Sequence, residues 1–357
     1  MKKVAIVGAR GAVGSEMRRI LEKCEWASGE LRLFGSSRSK GQSVSFRGKT
    51  LQVEELAFDP KQFDGVDIVL SSPGASVSQK FVRPLIAHNK KIVVIDNTSA
   101  FRMDADVPLV VPEVNGNDIK KHKGIIANPN CSAIVMLIAI APLHRANRIK
   151  RVIVSTYQSA SGAGAGAMRE LYAQTQEFIG RIEKRGGDAL EAIRLETENI
   201  QKGKALQMEV FPHQIAFNLF SHNSNVAENG YTGEENKMIA ETKKILGDPD
   251  IQICPTAVRV PVFQSHAESV LLEFEKPMSV EAARQILSKA KGVTLVDDRA
   301  KNRFPMPFTD ASGRDDVYVG RIREDLSSKT GLALFVAGDQ LRKGAALNAV
   351  QIAELLI

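Results

Sequence analysis

Val4-Ala-Ile-Val7 runs directly into Gly8-Ala-Arg10-Gly11-Ala12-Val13-Gly14. A short β-branched run followed by apolar residues at Val13, Met17, Ile20 and Leu21 predicts a strand, a tight turn and an amphipathic helix. Glycines at such a turn permit close backbone approach, and the helix N-terminus attracts a pyrophosphate. The GxxGxxG spacing alone also suits a plain strand-to-helix turn. Its place at the head of an alternating strand–helix pattern favours a dinucleotide site.

Outward from that turn, Leu31–Phe34, Asp67–Leu70, Ile92–Ile95 and Ile125–Ala127 read as further strands. Each is a continuous run rather than an alternating one, as in a parallel sheet covered by helices on both faces. After Arg151 the character changes. Val152–Tyr157, Val258–Phe263 and Ser269–Phe274 look like longer strands of a mixed or antiparallel sheet. Residues 166–205 are polar and helical in pattern with a loop at Gly186-Gly187, and Leu341–Ile357 reads as a closing helix. The expected fold is α/β: a Rossmann-type dinucleotide-binding domain and an α+β catalytic domain with a mixed sheet. The expected division is 1–131, completed by 338–357, against 132–337.

The end of the second strand bears on which dinucleotide. An NAD site usually carries an acidic residue there, but this chain has Gly35-Ser-Ser37-Arg38-Ser39-Lys40. Hydroxyls and a guanidinium suit a 2′-phosphate, so NADP(H) is expected. The bland alternative is a polar loop with an ordinary surface arginine.

Composition narrows the class. The chain has 357 residues, 43% hydrophobic and 25% charged, an ordinary globular balance that excludes disordered, collagen-like and disulfide-framework chains. The net charge of +7 is scattered and aromatics are only 6%, so no basic stripe with interleaved aromatics points to nucleic acid. The apolar stretch between Lys3 and Gly8 is shorter than a signal peptide, and nothing approaches a membrane span. Three cysteines (Cys24, Cys131, Cys254) without ligand-like spacing suggest a reducing compartment and no structural metal. A cytoplasmic protein is expected.

Asn128-Pro-Asn130-Cys131-Ser132 places one cysteine between a strand end and the long apolar run Ala133–Pro142. At a helix N-terminus the macrodipole stabilises a thiolate, so this thiol is expected to have a lowered pKa and to be a nucleophile. The competing reading is an inert buried cysteine, which suits Cys24 and Cys254. Of the six histidines, His266 follows Arg259 shortly along one segment and is a modest favourite for acid/base work. His213 lies beside apolar residues, and His88, His122, His144 and His222 lie in surface-like contexts. A nicotinamide site with a thiolate limits the chemistry to thioester formation coupled to hydride transfer.

Taken together these segments resemble the aspartate-β-semialdehyde dehydrogenase family from residue 4 to the C-terminus. The resemblance is carried by Gly8–Gly14, Ile95-Asp-Asn-Thr-Ser-Ala-Phe-Arg102, Val110–Asn115, Asn128–Ser132, Thr156-Tyr-Gln-Ser-Ala-Ser-Gly-Ala-Gly-Ala-Gly166, Asn229–Lys237, Val258–Val262 and Gly338-Asp-Gln-Leu-Arg-Lys-Gly-Ala-Ala346. It implies Cys131 as the acyl-thioester nucleophile, His266 as acid/base and Gln158 as the group orienting the acyl function. Arg102 and Lys237 would hold the phosphate, Arg259 the substrate carboxylate and Glu234 its amino group. A simple i,i+3 pair also accounts for Glu234 with Lys237. Gly8, Arg10, Gly11, Ala12, Val13, Ser37 and Arg38 would contact the cofactor, with Ser161, Gly162 and Gln340 near the nicotinamide.

Three departures stand out. Arg10 replaces a small or hydroxyl residue, Ser72-Pro73-Gly74-Ala75 replaces a more flexible loop, and Gln340 stands where asparagine is usual. Residues 180–195 run longer than the pattern and receive no role. The implied reaction is NADPH-dependent reduction of L-aspartyl-4-phosphate to aspartate 4-semialdehyde and phosphate, feeding lysine, threonine and methionine synthesis. The implied assembly is a homodimer, with a dimer of dimers left open. The alternatives are an N-acetyl-glutamyl-phosphate reductase-like enzyme, whose acetylated substrate has no need of Glu234, and a catalytically silent binding homologue.

Overall fold

The computed structural model describes residues 1–27, 29–221 and 224–357; His222 lies outside them. Among the described residues the strands form two sheets. The first contains β1 (Val4–Val7), β2 (Leu31–Gly35), β3 (Ser43–Phe46), β4 (Lys49–Glu55), β5 (Ile68–Ser71), β6 (Val93–Asp96) and β7 (Ile125–Ala127), in the order β3-β4-β2-β1-β5-β6-β7. All neighbours are parallel except β3 and β4. Strands β1, β5 and β7 are buried along their whole length, which is why they read as unbroken apolar runs. The chain leaves β1 toward β2 on one side and returns to β5 on the other. Beyond the carboxyl end of β1 this opens the crevice where such sheets take ligands.

The β3–β4 hairpin is absent from the sequence reading. Its alternation of serines with Val44 and Phe46 buries one face only. Its turn is Arg47-Gly48, both at positive φ, a two-residue reversal without the Asn-Gly or Asp-Gly pair that advertises one.

Helices α1 (Ala12–Leu21), α2 (Ala75–His88) and α3 (Pro112–Asn115) belong to this half. Helix α4 (Cys131–Ala146) is buried almost all round. Its side chains join one hydrophobic cluster with Val7 and Val94 of the first sheet and Val152 and Val270 of the second. An all-apolar helix of this kind has no solvent face and serves as shared core.

The second sheet contains β8 (Ile149–Gln158), β9 (Gln252–Arg259), β10 (His266–Phe274), β11 (Val293–Leu295), β12 (Val317–Glu324) and β13 (Gly331–Gly338), in the order β11-β12-β13-β10-β8-β9. Pairs β8–β9 and β11–β12 are parallel and the others antiparallel, giving a mixed sheet. The strand expected at Val258–Phe263 instead runs Gln252–Arg259. Pro261 has no N–H to continue the ladder, and the chain leaves the sheet to accept hydrogen bonds at Val262 and Phe263 from Ala160 and Ser161.

Helices α5 (Ala165–Arg185), α6 (Ala189–Gln201), α7 (Gly233–Leu246), α8 (Val280–Leu287) and α9 (Leu347–Glu354) complete the fold. Gly186 and Gly187, both at positive φ, separate α5 from α6 as expected. The closing helix is shorter than Leu341–Ile357: a wide π-type turn at Arg342–Ala346 precedes α9. Helix α9 packs on α1 and on strands β5 and β6, which returns the C-terminus to the first sheet.

Candidate active site

Register brings the chemistry together. Gln158 ends β8 opposite Arg259, which ends the parallel strand β9. His266 opens β10 on the other side of β8, one residue before the Ala267–Tyr157 pair. Gln158 therefore meets Arg259 and His266, about a hundred residues further along the chain, at one corner of the second sheet. Helix α4 starts at the same corner. Asn130 is its N-cap, accepting from the Ser132 and Ala133 N–H groups at 3.0 and 3.2 Å. Asn130 thereby fixes the first residue, Cys131, whose sulfur lies 3.5 Å from His266 Nε2.

The electrostatics correct one expectation. Burial, reinforced by the negative charge of Glu234, pushes the Cys131 thiol up to about 12. Arg102 and Arg259 pull it down, but the desolvation of a thiolate outweighs them and the helix terminus. The sequence reading allowed for the macrodipole and not for the cost of removing the thiolate from water. Burial and the Arg259 charge hold His266 well below the ordinary histidine value. The resting pair is therefore a thiol and a neutral imidazole.

The remaining polar groups surround this pair. Gln158 Nε2 donates to Ser132 Oγ at 2.7 Å and to Glu234 Oε1 at 3.3 Å. Glu234 Oε1 also accepts from Asn130 Nδ2 at 2.7 Å. Its other oxygen meets Lys237 at 3.5 Å, so the i,i+3 pair foreseen as an alternative is present. Arg259 donates to the Ser159 carbonyl at 2.5 Å, while its Nε is buried with no partner among the described residues. Arg102 is buried and tied down by Glu241 at 3.0 Å and by the carbonyls of Asn128 and Asn97, each at 2.9 Å.

The crevice beyond β1 is a cavity of about 480 Å³ lined by Gly8, Arg10, Gly11, Ser37 and Arg38, with Ser36, Phe58 and Pro73 among the other walls. Gly8 has φ +83°, and a Cβ there would stand 2.6 Å from the Ser72 carbonyl oxygen, so the turn requires glycine. Ala12 and Val13 do not line this cavity; they begin α1 just behind it. Arg10 and Arg38 are exposed and have no ion pair among the described residues. Glu55, also in the wall, is paired with Lys40 at 3.3 Å.

Ser161, Gly162 and Gln340 lie at the Cys131 corner. Gln340 donates to Ser161 Oγ and both are buried. Gly162 packs against His266 and Arg259.

Three residues here escaped the sequence reading. Asn130 stands in a capping position before an apolar helix, a pattern that could have revealed it. Glu241 shares a helical face with Glu234 and Lys237 and joins the Arg102 guanidinium to the Asn130 N–H. Ser159 was invisible: only the tertiary arrangement places its backbone between Arg259 and His266.

Fold and site define a two-domain dinucleotide-binding protein with a cysteine–histidine pair where its sheets meet. Comparison with known proteins agrees. Residues 3–122 match the family model described as semialdehyde dehydrogenase, NAD binding domain, and residues 140–343 the one described as semialdehyde dehydrogenase, dimerisation domain. Aspartate-semialdehyde dehydrogenase from Prochlorococcus marinus is 48% identical, covering 99% of this chain and 95% of its own. That of Bacillus subtilis is 47% identical, with 99% and 96% covered. Among solved structures, aspartate semialdehyde dehydrogenase II from Vibrio cholerae complexed with ASA matches with a TM-score of 0.88 at 42% identity, over 100% of this chain and 98% of that one. The chain belongs to the aspartate-semialdehyde dehydrogenase family.

Proposed function

We propose that this chain reduces L-aspartyl-4-phosphate to L-aspartate 4-semialdehyde and phosphate with NADPH, through a thioester on Cys131. The observation carrying the reading is the Cys131–His266 pair at 3.5 Å, ringed by Gln158, Glu234 and Arg259. The first-sheet crevice suits a dinucleotide. Gly8 lets the first turn pack directly on the Ser72 carbonyl, where a Cβ would clash, so the cavity wall is backbone at that point, and Arg10, Ser37 and Arg38 offer a guanidinium pair and a hydroxyl to a 2′-phosphate. When bound, the reduced nicotinamide supplies hydride to the acyl carbon.

The chain's own residues do the rest. Arg259, whose buried Nε lacks a partner among the described residues, takes the substrate carboxylate, and Glu234 takes the ammonium group. Arg102 and Lys237 face the phosphate. Gln158 orients the acyl oxygen near the sulfur. The Cys131 sulfur attacks the acyl carbon, the carbon–oxygen bond to phosphate breaks, and the thiol proton leaves with the phosphate. As the aldehyde forms, the carbon–sulfur bond breaks with the electron pair staying on sulfur, and His266 stabilises the departing thiolate until water reprotonates it. The reverse direction is oxidative phosphorylation of the aldehyde.

The names of the relatives do not favour the acetyl-glutamyl or silent alternatives. We place the cofactor-binding half at 1–131 with 338–357 and the catalytic half at 132–337, in a cytoplasmic homodimer. The dimer face is the outer side of the second sheet, where Tyr157 is 38% exposed beside Phe335. Light scattering tests the dimer. The activity test mixes purified protein with aspartate semialdehyde, NADP and phosphate and follows nicotinamide reduction. Phosphate-dependent reduction, lost in Cys131→Ala, is expected. Turnover of N-acetyl-glutamate semialdehyde alone would overturn the substrate, and unchanged turnover in Cys131→Ala would overturn the thioester.

A further inference from the structure

We propose that Ser159 is a positioning residue that holds His266 as the tautomer with its proton on Nε2, facing the Cys131 sulfur. The inference rests on the reaction proposed above. Nδ1 of His266 receives the Ser159 backbone N–H at 3.1 Å. A backbone N–H can only donate, so Nδ1 must present its lone pair, and the ring proton of the neutral imidazole sits on Nε2.

The side chains agree in direction. Gln340 Oε1 accepts from the Ser265 N–H at 2.8 Å, which turns the amide nitrogen toward Ser161 Oγ. Ser161 Oγ lies 3.0 Å from Ser159 Oγ, and donation from Ser161 leaves the Ser159 hydrogen for the imidazole. The Ser159 hydroxyl in turn points at His266 Nδ1, 3.2 Å away. Every donor in this chain runs toward the imidazole, and the chain ends at an amide, so it orients the ring rather than conducting protons.

Ser159 also accepts from Arg259 through its carbonyl at 2.5 Å. One residue therefore sets both the proposed carboxylate clamp and the imidazole. The titratable and charged groups facing the ring are Cys131 from α4 and Arg259 from β9, with Glu268 two residues along β10. Arg259 disfavours an imidazolium, as does a backbone N–H aimed at Nδ1. His266 thus meets the sulfur as a hydrogen-bond donor, the form suited to steadying a departing thiolate. A base role toward the thiol would need the opposite tautomer.

The test is nitrogen NMR of the free enzyme carrying isotope-labelled histidine, with His266→Asn assigning the ring signals. It needs no substrate, so its outcome is separate from that of the activity assay. The expected spectrum has a pyridine-like Nδ1 and a protonated Nε2, unchanged between about pH 6 and 8. A protonated Nδ1, or titration to imidazolium in that range, would overturn the proposal. Ser159→Ala keeps the backbone donor and removes the hydroxyl. It is expected to lower kcat roughly fivefold to tenfold with little change in KM, and to admit some of the Nδ1-protonated form. A merely structural serine would change thermal stability and leave the tautomer alone; a wild-type spectrum and kcat in this variant would remove Ser159 from the mechanism.

Discussion

Gly162 and His266 touch so closely that no side chain fits between them. A Cβ on Gly162 would stand 2.9 Å from His266 Cε1, and 3.0 Å from Arg259 Nη1. Gly162 is not at positive φ, so alanine would suit its backbone, and the nearest atoms it would offend belong to these two side chains. Gly162→Ala should therefore fold and melt near the wild type while kcat falls about a hundredfold, the cost of displacing a reacting group by a fraction of an ångström to an ångström. Steady-state kinetics beside a melting curve checks this. A wild-type kcat would mean that the imidazole has room to move without penalty.

Glu234 works against the thiolate in the resting enzyme, since its charge raises the Cys131 pKa. Removing that charge lowers the pKa and enlarges the thiolate fraction at a fixed pH. Glu234→Gln should alkylate faster at Cys131 with iodoacetamide near neutral pH, yet show a raised KM for aspartate semialdehyde if Glu234 is the ammonium partner proposed above. Mass spectrometry of the labelled peptide separates Cys131 from Cys24, whose thiol burial also pushes up, to about 11. Slower alkylation would contradict the assignment.

Arg38 and Arg10 share the wall of the dinucleotide cavity. Arg38→Ala should raise the KM for NADP about tenfold or more, the worth of a charge-assisted hydrogen bond, and leave that for NAD nearly unchanged. Arg10→Ala should weaken NADP in the same direction. Equal losses for both dinucleotides would move Arg38 from the 2′-phosphate to the shared part of the cofactor.

Glu268 is a carboxyl buried in the middle of the second sheet, in register with Thr156 and Val336, with neither oxygen hydrogen-bonded among the described residues. Burial raises its pKa well above the ordinary glutamate value. The fold binds this proton more tightly than the unfolded chain does. The stabilising contribution is complete below the unfolded pKa and is lost as pH rises through the folded one. Glu268→Gln cannot ionise, so its Tm should gain on the wild type progressively as pH rises above the ordinary carboxylate range. Parallel melting curves across pH would show this, and a constant difference would contradict it.

The first half of the fold was legible because its strands are buried on both faces, and burial on both faces writes itself as continuous apolar runs such as Val4–Val7 and Ile68–Leu70. The β3–β4 hairpin was not, because an edge ribbon exposed on one side leaves only a weak alternation and Arg47-Gly48 is an unusual turn pair. The end of β9 at Arg259 depends on how Pro261 meets its neighbours, which periodicity does not report.

The sequence by itself determined a cysteine at the head of an apolar helix, a glycine turn after a first strand and a basic, hydroxyl-rich loop after the second. Each follows from local residue chemistry read over a few positions. Tertiary structure decided the charge state of Cys131, because desolvation is a property of everything packed around a group. It also decided the partnership of Gln158 with Arg259 and His266, which strand register alone brings to it. The Ser159 N–H on His266 belongs there too: a backbone donor is the same in every residue but proline, and only the fold says what it points at.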